Sequence, residues 1–224
     1  MTADLNGALR LFALASDYVR CAGLLAEVEW QRDASMSDFS ETEFLRESAW
    51  VVLCSGFRES VVRRIFKYVS LCFCDWESAS SIVEANAACR AAAMASFRNQ
   101  MKLDAILTIA HHVDDVGFST FKEAVLSDPL AVLRRLPYIG PVTVWHLAKN
   151  LGLDVSKPDR HLVRVSNQLG FYSAAQFCTA IADATGERAK VVDLIVWRYL
   201  ADNPHSLGKS RCRNNGRSSA SRQH

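Results

Sequence analysis

The spacing of its apolar residues constrains this chain more than any other feature. From Leu5 to about Leu200 they recur every three or four positions, and no stretch alternates apolar with polar. A period near 3.6 buries one face of a helix, whereas a half-buried strand needs a period of 2. The chain is therefore expected to be all-α. The breaks are short and marked by Asp, Ser, Gly or Pro, which cap helices or turn the backbone. The pattern predicts helices near residues 5–29, 41–55, 58–74, 77–87, 88–111, 118–126, 128–135, 141–151, 160–169, 173–184 and 188–202. With 224 residues, half of them apolar, there is material for one substantial core or for two small helical lobes sharing a cleft.

Charge is unevenly placed. Lys209, Arg211, Arg213, Arg217 and Arg222 follow Asp202 with no acid among them, and setting those five aside leaves 21 Lys and Arg against 24 Asp and Glu. Residues 203–224 are rich in Ser, Arg and Asn and lack aromatics, the composition of a disordered basic tail behind a helical domain at 1–202. The domain itself is slightly acidic, so any nucleic-acid footprint on it must be local. No apolar run approaches the roughly 20 residues of a membrane helix, which predicts a soluble, cytoplasmic chain with no membrane partner. The seven cysteines are odd in number, lie mostly in apolar stretches and include no C-x-x-C pair, as expected of reduced core thiols. His111-His112-Val113-Asp114-Asp115 holds metal-ligand residue types, but neighbours on a helix point apart, so no metal site is expected there.

Residues 128–152 read as two helices joined by a very tight turn, Leu136-Pro137-Tyr138-Ile139-Gly140-Pro141. Pro137 ends the first helix, Gly140 is expected to supply backbone freedom, and Pro141 suits the first turn of the second. Such a hairpin points the unpaired N–H groups of a helix start outward, where a phosphate can accept them without basic side chains. Pro137, Tyr138, Ile139, Gly140, Val142 and Thr143 are thus candidate backbone contacts. Arg134, Arg135 and Lys149 flank them as candidate phosphate-reaching charges. Nineteen residues after Gly140 comes Asp159, in Lys157-Pro158-Asp159-Arg160-His161-Leu162-Val163-Arg164.

The hairpin followed at this interval by Asp-x-His-x-x-Arg resembles the helix-hairpin-helix DNA glycosylases, over about 40 residues. The resemblance implies two helical lobes flanking a DNA-binding cleft, and a catalytic loop at 153–160. It also implies a monomer acting on double-stranded DNA that contains a damaged or modified base, on the nucleoid if the source is bacterial. Asp159 falls on the family's catalytic aspartate. From the residues alone it is equally the N-cap of the helix that starts at Arg160. A carboxylate so held beside C1′ would stabilise the positive charge that builds on the sugar as the glycosidic bond breaks, and could activate water.

The chain departs from the family in three places. Lyase-active branches carry a lysine two residues after the hairpin glycine, where Val142 stands here; the resemblance then implies a monofunctional enzyme, with Lys67 or Lys122 as amines that could enter the cleft from elsewhere. Only Cys178 and Cys212 follow Asp159, too few for the iron–sulfur cluster of some branches. Tyr138 replaces the glycine common at the second turn position. No cofactor is expected beyond a structural monovalent cation that the family resemblance allows at the hairpin. His146 and Trp145 are candidate base-pocket residues, and Phe57, in Val52-Leu53-Cys54-Ser55-Gly56-Phe57-Arg58-Glu59-Ser60, is the candidate wedge into the gap left by a flipped nucleotide. Trp145 and Phe57 are also ordinary core-packing types. The rival reading is a non-catalytic helix-hairpin-helix DNA-binding protein or modified-DNA sensor.

Overall fold

The computed structural model describes residues 2–204; the tail expected at 203–224 falls, beyond Pro204, outside the described residues. Every regular element described is helical. The order is α1 (Leu5–Cys21), α2 (Leu25–Asp33), α3 (Glu41–Cys54), α4 (Glu59–Cys72), α5 (Ala79–Glu84), α6 (Asn86–Met94), α7 (Gln100–Val116), α8 (Phe118–Ser127), α9 (Pro129–Leu133), α10 (Thr143–Asn150), α11 (Arg160–Gln168), α12 (Ala174–Thr185) and α13 (Ala189–Asp202). Local chemistry explains most starts. Asp4, Ser40, Ser78, Asn99, Asp128, Asp159 and Ser173 each accept a backbone N–H from the first turn of the helix they precede, and Ser40 forms a reciprocal capping box with Glu43.

Two predicted helices are each divided in two. The run at 5–29 breaks at Gly23, whose φ of 71° no helix interior permits. The run at 88–111 breaks before Asn99, whose side chain prefers to cap α7 rather than continue α6.

The apolar residues gather into two cores. One is built from residues between Phe39 and Leu151 and unites α3–α10; the other joins the two ends of the domain, from Ala8 to Val28 and from Leu162 to Leu200, in α1, α2 and α11–α13. The chain crosses between lobes at 34–40 and at 151–159, and Lys190 pins both crossings by donating Nζ to the carbonyls of Ala34 and Gly152. Gly152 has φ 104°, and a Cβ there would overlap the Ser35–Met36 backbone, so only glycine lets the crossings approach. No helix among the described residues is long and apolar enough to cross a membrane.

Candidate active-site cleft

Between the lobes lies a cleft of about 1540 Å³, with Trp50, Phe57, Phe66 and His146 on the larger lobe and Trp30, Gln31 and Trp197 on the smaller. This exceeds the roughly 300–1,000 Å³ of a small-molecule site. An ionic cluster ties the walls together. Arg198 of α13 meets Glu27 of α2 at 2.6 Å, and Arg63 of α4 meets both Glu59 at 2.5 Å and Glu27 at 3.2 Å.

Asp159 ends the second crossing and opens α11 on the cleft wall. Its Oδ1 accepts the N–H groups of His161 at 2.8 Å and Leu162 at 3.0 Å. These donors exist because the first turn of any helix leaves its N–H groups without carbonyl partners, and the helix dipole adds attraction for negative charge. Oδ2 takes no hydrogen bond among the described residues.

A buried charge pair holds the segment that carries Asp159. Asp193, in α13, receives Lys149 Nζ on Oδ1 at 2.5 Å and the backbone N–H of Lys157 on Oδ2 at 2.7 Å. Burial pushes the Asp193 carboxyl up, and Lys149 and the Lys157 N–H pull it back down. Gln31, also buried, donates to the Lys149 carbonyl at 2.9 Å. Lys149 thus does not reach a phosphate: it is 5% exposed and satisfied by Asp193 across the lobe boundary.

Next to this pair, Lys157 Nζ stands 3.5 Å from His146 Nδ1 inside the cleft. Burial, and then the Lys157 and Lys149 ammonium groups, hold His146 well below the ordinary imidazole value, so the ring is neutral and accepts from Lys157. Burial also lowers Lys157, with Asp159 opposing. Arg58, Lys67 and Arg160 line the cleft and make no ion pair among the described residues, which leaves its rim locally basic on an acidic domain. Lys122 lies elsewhere, over the ring of Phe39 at 5.0 Å.

At the hairpin, α9 and α10 are joined by a turn whose Leu136 and Ile139 side chains are buried, so Ile139 offers only its backbone to a ligand. Tyr138, not Gly140, carries the left-handed backbone, at φ 63°. The Gly140 N–H is used inside the turn: Thr143 Oγ1 accepts it at 2.7 Å and donates to the Tyr138 carbonyl at 3.1 Å. A monovalent cation here would be held by main-chain carbonyls, and the Thr143 hydroxyl already bonds one of them. No side chain caps α10; the Val144 N–H is taken by the Gly140 carbonyl at 3.0 Å, while the N–H groups of exposed Val142 and of Thr143 meet no acceptor among the described residues. Pro137 is half-buried, Arg134 and Arg135 are exposed, and Trp145 packs against the larger core away from the cleft lining. His111 bonds Asn86 at 2.8 Å while His112 meets the ring of Phe121, and among the described residues no group of three or more His, Cys, Asp or Glu is placed to hold a metal.

The fold therefore brings Asp159, His146, Phe57 and the start of α10 to one cleft, ties up Lys149 on its floor in the pair with Asp193, and leaves Trp145 out of the lining. Sequence reasoning missed Lys157, Asp193, Gln31 and the tryptophan walls. Only Asp193 left a signal, as one acid within Val191-Val192-Asp193-Leu194-Ile195-Val196, which implies a buried charge with a partner. Comparison with models of protein families, with curated proteins and with solved structures finds no match for this chain.

Proposed function

We propose that the chain is a DNA glycosylase that hydrolyses the N-glycosidic bond of a damaged or modified base extruded into the cleft. The observation that carries this reading is Asp159: a carboxylate held by two backbone donors on Oδ1, with Oδ2 unengaged, on the wall of an aromatic-lined cleft beside an uncapped helix start. A flipped base would stack among Trp30, Trp50 and Trp197, while a phosphate would accept the N–H groups that open α10. As the C1′–N bond breaks, its electron pair leaves with the base and positive charge grows on the sugar, which the Asp159 carboxylate stabilises. Water adds to C1′ and gives up its proton to that carboxylate. Lys157, whose ammonium lies in the same cleft, would donate a proton to the departing base.

Val142 puts no amine at the hairpin, so water is the nucleophile and the product is an intact abasic site. The test is a panel of duplexes, each bearing one lesion, incubated with the protein and treated with alkali to reveal abasic sites. Excision from at least one duplex, with no strand break before alkali and no borohydride-trapped adduct, is expected. An adduct at Lys67 or Lys157, both in the cleft, would overturn hydrolysis by water. Tight DNA binding with no excision from any duplex would favour the non-catalytic reading.

A further inference from the structure

Tyr138 combines two features that ordinary turns avoid. Its backbone is left-handed, a conformation that crowds an L side chain and that glycine takes freely, and the residue is 37% exposed and belongs to neither core. The turn would form more easily with glycine, so the side chain comes at a backbone cost that its contacts must offset. The ring sits over Lys102, with Nζ 5.1 Å from its centroid, and the same ammonium lies 5.3 Å from the ring of Phe57. Phe57 is 43% exposed, follows Gly56 in the α3–α4 turn, and leans on Phe97 at 5.2 Å between ring centroids.

Lys102 is a rigid seat. It is buried at the start of α7 and donates to the carbonyls of Val52, Leu53 at 3.3 Å and Ser55 at 2.6 Å, the chain end of α3. The Val52 carbonyl also accepts the Ser55 N–H at 3.3 Å, while those of Leu53 and Ser55 take no backbone N–H among the described residues, and all lie at the negative end of the helix dipole, where an ammonium completes them. One buried amine, lowered by desolvation to a pKa of about 8 and so still mostly charged at neutral pH, thus lies against two exposed rings from separate loops. Phe57 lies on the cleft rim and Tyr138 just outside it.

We propose that Tyr138 and Phe57, seated together on Lys102, form a two-ring clamp that stacks on the bases of a duplex opened at one nucleotide; the proposal rests on the reading of the chain as a DNA glycosylase. Phe57 fills the gap left by the extruded nucleotide, and Tyr138 stacks on the neighbouring base. Every base offers a π-face, so such contacts tolerate any sequence. The buried ammonium keeps both rings oriented in free protein, which reduces the entropy lost on binding.

The test measures affinity by fluorescence anisotropy for two duplexes, one intact and one with a tetrahydrofuran abasic analogue beside 2-aminopurine, using wild type, Tyr138→Gly, Tyr138→Phe and Phe57→Ala. Tyr138→Gly should melt near the wild-type temperature, because relief of the left-handed backbone offsets the entropy glycine adds to the unfolded chain. Its affinity for the abasic-analogue duplex should fall about tenfold, the loss of one stacking contact of ~1.4 kcal/mol, with affinity for intact duplex within about twofold. The stacking-dependent quenching of 2-aminopurine should disappear with it, and Tyr138→Phe should keep both. Phe57→Ala with Tyr138→Gly should lose less than the product of the single losses, since the rings act as a unit. An equal loss on both duplexes, or no loss on either, overturns the clamp. Should wild type show no preference for the abasic-analogue duplex, the glycosylase reading fails and the clamp with it; a preference retained by Tyr138→Gly sinks the clamp alone.

Discussion

Replacing Asp159 by Asn removes one charge and almost nothing else. The amide oxygen can still accept the His161 and Leu162 N–H groups now bonded at 2.8 and 3.0 Å, and Asn caps helices about as well as Asp. Stability should change by only a few tenths of a kcal/mol, less than about 2 °C in Tm for a domain of this size. The chemistry should change far more. A carboxylate ~4 Å from a developing sugar cation, at an effective dielectric of ~20, contributes about 4 kcal/mol, which is close to a thousandfold in rate. The assay is single-turnover excision with protein in excess over a lesion-bearing duplex, quenched in alkali, alongside anisotropy titrations. The Asp159→Asn variant should bind within a few-fold of wild type and excise at least a hundredfold more slowly. Asp159→Ala separates the two roles of the residue. It loses the charge and the cap, so it should show the same slow excision with a further ~1 kcal/mol of lost stability. Wild-type excision by Asp159→Asn would refute the catalytic role. Loss of binding in step with excision would show that the carboxylate shapes the cleft and does not act on the sugar.

Three other outcomes follow from the geometry. Asp193→Asn leaves the Lys149 ammonium buried without its counter-ion, at a cost of about 3–5 kcal/mol and a Tm drop on the order of 10 °C; Lys149→Met combined with Asp193→Leu should recover most of it, and an unchanged Tm in the single variant would contradict burial of the pair. His146 has a folded pKa below its unfolded value of 6.5, so its contribution to stability is fully present above about pH 6.5 and is lost as pH falls through the folded value; His146→Gln should flatten the acid limb of Tm against pH, and an unaltered limb would show that other groups set it. Gly140→Ala should fold normally, since its φ is not positive and a Cβ there meets only Thr143 Oγ1 at 3.9 Å. If the hairpin backbone is the phosphate anchor, the added methyl should weaken intact and lesion-bearing duplexes alike by several-fold, and undiminished affinity would move the anchor elsewhere.

The helices and several candidate cleft residues, Asp159, His146 and Phe57 among them, were legible in the linear string. Helical periodicity and caps such as Ser40, just before the helix predicted at 41–55, are local, acting over three or four residues, so no knowledge of the fold is needed to find them; Asn99, read as helix interior within 88–111, caps α7 instead. Asp159 was legible for the same reason: its cap on α11 spans three residues, and its interval from the hairpin is a matter of counting. What lay between distant residues was not. The partition into two cores, the pairing of Lys149 with Asp193 44 residues away, the convergence of Trp30, Trp50 and Trp197 on one cleft and the seating of Phe57 and Tyr138 on Lys102 arise only when the chain packs against itself. Lys149 makes the point most plainly. Beside a hairpin, a lysine looks like a surface charge waiting for a phosphate; in the fold it is buried, because α13 brings a carboxylate to it and the desolvation of each charge is offset only by the other.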